Sequence, residues 1–308
     1  MYRLILFPGA HKTGTTLLQA ALETNRQILE VNGFALVGRK PFYQSELCRY
    51  LRTWSHKLED EVSLESARAS VKKLCGGDLA KNIIISIENI FGEFGHKPRI
   101  YPAVRPVLRE MSRILPDHEI RVVYYTRRQD RYFESIFVQR VHKLNAQPFS
   151  DFYQEWKRHD MRWTPILEDI AAEIGRNNLV VAAFETIKTG LNNFVSDMFR
   201  HIQPGLEKIA SSLDPEARDT NISLSGKGIN LALLLFPELD RGERKIFVEF
   251  LKCHFSKRDY PPAVLLSDEQ RFDLLKNVKT DNELLVRKYF QEDSSVREFY
   301  SPELPSNR

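Results

Sequence analysis

The apolar run Leu4 to Phe7 passes through Pro8-Gly9 into a short polar loop, and Leu17, Leu18, Ala21 and Leu22 then recur at helical spacing. A buried strand, a loop with two glycines and a helix start thus follow in immediate succession. Such a unit makes an anion-binding site. Its loop and first helical turn leave backbone N–H groups without intrahelical partners, and the helix dipole adds positive potential at the same end. Thr15 and Thr16 add hydroxyl donors, and Lys12 adds a full charge.

Against the Walker A pattern G-x-x-x-x-G-K-[ST], Gly9, Gly14 and Thr16 fall in register, but position 15 is Thr and the lysine sits at 12, inside the loop. A kinase or ATPase needs its lysine after the second glycine, reaching the β/γ-phosphates. A lysine earlier in the loop would approach a shorter phospho-anion from another side. The plain structural alternative is a strand-to-helix connection made of ordinary turn residues.

The chain of 308 residues, 42% hydrophobic with mixed charges, suits a globular protein with one large α/β domain or one domain with a helical annex. A net charge of +4 fits an anionic ligand and is too small to argue for nucleic acid. No apolar run reaches the roughly 18 residues of a membrane span. The N-terminal apolar run is cut short by Pro8-Gly9, so it reads as the first strand and not as a signal peptide. Cys48, Cys75 and Cys253 lack metal-type spacing and suit a reducing compartment, hence a cytoplasmic location. The histidines form no paired-ligand pattern, so no metal is expected.

Strand and helix signals alternate, which argues for a parallel sheet covered by helices. Strands are expected near 3–8, 82–87, 121–126 and 179–184. Helices are expected over 15–31, within 41–76, and over 103–115, 130–145, 149–174, 190–201, from Ser223 or Ser225 to Phe236, over 243–253 and over 268–290. Residues 92–102 and 204–222 read as loops, and the last dozen residues as frayed. The expectation is an α/β, P-loop-type three-layer fold: a central parallel sheet flanked by helices, with additional C-terminal helices. All of 1–308 forms one domain on this reading, with a core of about 1–203 and a helical part of about 204–308.

Ligands of open α/β sheets bind beyond the carboxyl ends of the strands. The strand at 121–126 leaves through Arg127, and Ser135 follows about one and a half helical turns on. An arginine fork and a hydroxyl could converge there on one phosphate. Alternatively, Arg127 pairs with Asp130 or Glu134 and Ser135 is incidental. The strand at 82–87 leaves through Glu88, which could act as a general base or could form a salt bridge with a nearby cation.

On these residues the chain resembles the sulfotransferase family, in its bacterial, carbohydrate-sulfotransferase-like branch. His11-Lys12-Thr13-Gly14-Thr15-Thr16 looks like the family's 5′-phosphosulfate loop. Arg127 and Ser135, within Tyr-Tyr-Thr-Arg-Arg-Gln-Asp-Arg-Tyr-Phe-Glu-Ser, look like its 3′-phosphate motif, and Asn221-Ile222-Ser223-Leu224-Ser225 is similar to a C-terminal motif of bacterial members. The resemblance implies the donor 3′-phosphoadenosine 5′-phosphosulfate (PAPS) and in-line transfer of its sulfuryl group to a hydroxyl or amine, with no metal held. It implies that Lys12 contacts the bridging oxygen and sulfuryl group, that residues 13–16 hold the 5′-phosphate, and that Arg127 and Ser135 fix the 3′-phosphate. Glu88 fits the glutamate base of glycan-acting members, which favours a sugar-containing acceptor. Lys227-Gly228 resembles a basic-glycine pair that closes over the donor in other members.

On the acceptor side, His96, Lys97, Arg99 and Arg105 could meet an acidic glycan or form a solvated surface. Phe42, Tyr43, Tyr50 and Trp54 could stack on a sugar or belong to the core. Two other classes stay open: a P-loop kinase or nucleoside triphosphatase, and a nucleotide-binding homologue without turnover.

Overall fold

The apolar runs pair in parallel into one five-stranded sheet, built from β1 (Tyr2–Phe7), β2 (Phe34–Val37), β3 (Asn82–Ser86), β4 (His118–Thr126) and β5 (Leu179–Ala183) in the order β2-β3-β1-β4-β5. The computed structural model describes residues 2–9, 13–56, 62–77, 79, 81–88, 90–92, 100–208, 223–290 and 294–300. Central β1 lies between β3, with Leu4 opposite Ile83, and β4, with Leu4 opposite Ile120.

Alternate side chains of each strand point to opposite faces. Both faces are covered, so the strands read as unbroken apolar runs. On one face Ile5, Phe7, Leu36, Ile84, Val123 and Tyr125 pack under α1 (Thr15–Thr24), α2 (Arg26–Val31) and a later helix over 191–202. On the other, Leu4, Leu6, Ile83, Ile85, Val122 and Tyr124 share a core with the remaining helices. These are α3 (Arg39–Tyr43), α4 (Glu46–His56), α5 (Leu64–Leu74), α6 (Val104–Ile114), α7 (Gln129–His142), α8 (Phe149–Trp156) and α9 (Thr164–Ile174). Then come α10 (Leu191–Ile202), which caps the first face, and α11 (Gly226–Leu235), α12 (Arg241–His254), α13 (Asp268–Asn277), α14 (Lys279–Tyr289) and α15 (Ser294–Tyr300), whose Leu251, Leu274, Leu285 and Tyr300 join the second core.

The α/β architecture is the one expected, with differences in detail. The edge strand β2 was not anticipated. The helix expected over 15–31 breaks at Asn25, whose side chain donates to the Ala21 carbonyl at 2.9 Å. The segments 149–174 and 268–290 each divide into two helices. The helix to Phe236 starts at Ser225, whose Oγ accepts the Gly228 N–H at 3.1 Å. Most of the loop expected over 204–222 and the last eight residues lie outside the described residues. Among the described residues no helix is long and apolar enough to cross a membrane.

Polar contacts tie the C-terminal helices to the β4–α7 turn. Arg271 of α13 pairs with fully buried Asp130 and, at 3.1 Å, with Glu134. Gln129 exchanges side-chain hydrogen bonds with Asn282 at 2.8 and 3.1 Å, and the Thr126 hydroxyl meets that of Tyr300 at 2.7 Å. Burial works to raise the Asp130 pKa, but hydrogen bonds and charge from Arg128 and Arg271 outweigh it and hold the carboxyl below its ordinary value. A depressed carboxylate stabilises the fold in full above its unfolded pKa, about 3.9 for Asp, and loses that contribution as pH falls through the lower folded value. Arg271→Met should cost about 3 kcal/mol in urea unfolding near neutral pH, since it strips a cation from two buried carboxylates. The deficit should shrink as pH falls and Asp130 protonates.

Candidate functional site

β1 and β4 are neighbours whose chains leave to opposite faces, β1 into α1 and β4 into α7. That divergence opens a crevice at their carboxyl ends. A cavity of about 900 Å³ lies there and spans the whole sheet edge. In the spatial order of the strands it is lined by Arg39 after β2, Glu88 after β3, Gly14 to Leu17 after β1, Arg127 after β4 and Phe184 after β5. The opposite wall comes from α7 with Arg131, Glu134 and Ser135, from α12 with Lys252 and Cys253, and from Lys257 and Pro262 to Val264.

Gly14 is the N-cap of α1, with φ of 79°, and no side chain caps the helix. That left-handed conformation favours glycine. A Cβ there would also stand 3.1 Å from the Phe184 ring. Gly9 serves a close approach, because a Cβ on it would lie 2.6 Å from the Thr15 hydroxyl. Thr13 and Thr15 are buried, Thr16 is half-buried, and Thr15 Oγ1 is a buried hydroxyl without a hydrogen-bond partner among the described residues. An uncapped helix start and an unpartnered hydroxyl bordering one cavity are both ready for an anion. His11 and Lys12 lie outside the described residues.

Adjacent arginines at the end of β4 have different surroundings. Arg128 is buried and held by Asp130 through two hydrogen bonds of 2.7 and 2.9 Å. Arg127 borders the cavity with its guanidinium over the Phe184 ring, 4.8 Å from the centroid, while its carbonyl accepts the Trp163 indole N–H at 2.8 Å. Asp130 pairs with Arg128 and Arg271, and Glu134 with Arg271 and Arg131. Burial lowers the Arg127 pKa, opposed by Glu185 and Asp130. Ser135 lines the same cavity, and its hydroxyl donates to the Tyr132 carbonyl at 2.8 Å, so it would have to turn to donate to a ligand.

Glu88 is half-buried in the cavity wall and pairs with no lysine or arginine among the described residues. Its charge is felt at Tyr43, whose hydroxyl pKa is raised by burial and by Glu88 and lowered by Arg39. Arg39 stands over the Tyr43 ring at 5.8 Å.

Lys227 and Gly228 do not line the cavity. The Lys227 ammonium lies over the rings of Phe255 and Tyr260, 5.4 and 5.0 Å from their centroids. Gly228 is buried where a Cβ would meet the Phe255 carbonyl oxygen at 2.7 Å, so helix packing alone requires glycine. The cations that this part of the chain contributes to the cavity are Lys252, paired with Glu249 at 2.7 Å, and Lys257. The Lys257 backbone N–H donates to the Ser223 carbonyl at 2.9 Å, which places it beside the cavity-lining Ser223. Desolvation in the cleft and the Arg127 charge lower the Lys257 pKa, with Glu134 opposing. No motif marks these two lysines.

On the suggested acceptor side, Arg105 is bonded to Asp169 at 2.8 Å, and His96, Lys97 and Arg99 lie outside the described residues. Phe42 and Tyr50 belong to the core, where Tyr50 donates to Glu110, whereas Tyr43 and Trp54 are exposed.

No protein-family model matches the chain, and no curated protein matches it in sequence. Among solved structures the chain is similar to a sulfotransferase from Alicyclobacillus acidocaldarius, with 11% identity and a TM-score of 0.43 over 80% of this chain and 99% of that one. It is also similar to the sulfotransferase domain from the curacin biosynthetic pathway, with 12% identity and a TM-score of 0.40 over 91% of this chain and 97% of that one.

Lys257→Ala should weaken calorimetric binding of pyrophosphate about tenfold, the scale of one charge-assisted contact, and Lys227→Ala should leave it unchanged. Gly228→Ala should lower stability by about 1–3 kcal/mol through overpacking, read by chemical unfolding.

Proposed function

We propose that the chain is a sulfotransferase that moves the sulfuryl group of PAPS to a hydroxyl or amine of a sugar-containing acceptor by in-line transfer. One observation carries this reading. Two anion-binding sets, the start of α1 and the pair Arg127 and Ser135, leave adjacent strand ends into one cavity that also holds Glu88, a carboxylate without a partner cation among the described residues. A donor with a phosphosulfate at one end and a 3′-phosphate at the other needs two such sets.

The donor supplies the sulfuryl group. The backbone N–H groups at the start of α1 and the hydroxyls of Thr15 and Thr16 hold the 5′-phosphate, and Lys12 offsets charge on the leaving oxygen. Preorganised donors of this kind contribute about 3–4 kcal/mol each to lowering a barrier. Arg127 and Ser135 fix the 3′-phosphate, with Lys257 adding charge beside them. Phe184, already stacked on Arg127, presents an aromatic face where a base could rest. Glu88 takes the proton of the acceptor hydroxyl as the new bond forms. The cavity extends past Glu88 to Arg39 at the end of β2, which leaves the acceptor that side of the sheet edge. The whole chain acts as a single domain in this reading, because α12 and the residues after it complete the cavity wall. The thiols Cys48, Cys75 and Cys253 are all free, which suits the reducing cytoplasm.

A P-loop kinase reading suits the site less well, since β4 ends in arginine where an acidic magnesium ligand would stand and position 15 is threonine. Calorimetry separates the two: adenosine 3′,5′-bisphosphate should bind and ATP with magnesium should not, and the reverse result overturns the proposal. Arg127→Ala should weaken bisphosphate binding at least tenfold, on the order of 1.5–3 kcal/mol. Glu88→Gln should keep that affinity and lose transfer of label from PAPS to a glycan acceptor by about 100-fold or more. A fully active variant would remove Glu88 from the chemistry.

A further inference from the structure

Glu185, two residues past the end of β5, holds a buried carboxylate that the site described so far does not use. Thr126 is opposite Ala183 in the β4–β5 ladder, so Arg127 leaves the sheet beside Phe184 and Glu185. Glu185 is only 7% exposed. Its Oε1 accepts the backbone N–H of Arg128 at 2.8 Å, while Oε2 is buried with no hydrogen-bond partner among the described residues. A buried carboxylate oxygen in that state is costly and requires an account.

The groups facing Glu185 narrow that account. From the β4–α7 turn come Arg127 and Arg128, and from α15 comes Tyr300, whose hydroxyl is engaged with Thr126. On Glu185's own turn, the Lys188 ammonium lies over the Phe299 ring at 5.4 Å. Arg128 is already matched by Asp130. Of the charges acting on Arg127 that of Glu185 comes first, and the Phe184 ring stacks on the same guanidinium.

We propose that Glu185 is the positioning residue of the anion cradle: it balances Arg127 while the cradle is open and accepts a proton from solvent when an anion settles on that arginine. Burial already raises the Glu185 pKa, against the backbone N–H groups of Arg128 and of Glu185 itself and the charges of both arginines. An incoming phosphate adds negative charge nearby, and like charges in a buried site force protonation of the weaker acid. The pKa of Glu185 is then higher with the anion bound than without it. Affinity is full below the free-state value and falls as pH rises from there to the bound-state value. The phosphate part rests on the sulfotransferase reading, while the charge pairing does not.

Glu185→Gln keeps the acceptor for the Arg128 N–H and removes the charge. Carbon-13 carboxyl titration of the ligand-free protein, with the Glu185 signal assigned by its loss in Glu185→Gln, should show a midpoint that rises in Arg127→Ala. An unmoved midpoint overturns the proposal whatever the nucleotide does. Calorimetry with adenosine 3′,5′-bisphosphate, run at about pH 6 and about pH 8 in buffers of different ionisation enthalpy, should show more proton uptake by the wild type than by Glu185→Gln. The variant should also bind more tightly at the higher pH, about tenfold for each unit by which the anion lifts the midpoint. Equal uptake by the two proteins overturns the proposal as well. If the midpoint moves and the nucleotide fails to bind, the sulfotransferase reading falls, and inorganic sulfate takes its place in the uptake measurement under the same criteria.

Discussion

Parallel pairing sends every strand of this sheet out through the same edge, and β1 and β4, adjacent in space, then send their chains to opposite faces. Neither helix can cover the gap between them. The start of α1 and the Arg127 guanidinium therefore border one cavity, with the Phe184 ring against both. The glycines at 9 and 14 follow from the same geometry. One lets Thr15 come within contact of the strand exit, and the other turns the chain into the helix beneath Phe184.

Next to that crevice the fold has to bury positive charge. Arg127 and Arg128 are consecutive, and two guanidinium groups leaving one strand end would repel each other if they shared a direction. The structure separates them. Arg128 turns inward onto Asp130, which Arg271 also meets, so two cations and one buried carboxylate lie together with Glu134 alongside. Arg127 stays at the cavity, stacked on Phe184, and its charge helps lower the pKa of Lys257. A cavity that keeps Arg127 and Lys257 beside one another favours an anion in proportion to the repulsion that the anion relieves.

Much of this was legible locally. Leu4 to Phe7, Ile83 to Ile85 and Tyr124 to Thr126 each read as buried strands because a covered parallel sheet demands apolar runs, and Glu88 and Arg127 stood out as the polar residues that end two of them. What was lost depended on tertiary placement. The strand Phe34-Ala35-Leu36-Val37 is shorter than the common strand length of about five or six residues and follows directly on a helix, so nothing in its pattern separates it from a loop. The Phe255 carbonyl, 27 positions on, would be struck by a Cβ at Gly228, a packing demand that the local sequence does not show. Lys257 reaches the cavity through pairing of its segment with residues 223–224, a contact that sequence spacing does not reveal.

Helix α7 connects the two halves of the problem. Asp130 and Glu134 lie one turn apart along one row, and Arg131 and Ser135 along the next, since residues four apart share a face. The first row is held by Arg271 of α13, and Glu134 of that row borders the cavity together with the second. Whatever fixes the first row fixes the angle at which the second meets a ligand. The C-terminal helices thus set the orientation of a helix that begins at the strand end carrying Arg127, without needing to touch the ligand through most of their length. If electrostatic catalysis rests on donors that do not reorganise as charge develops, the buried pairing of α13 with α7 is part of the anion site's rigidity.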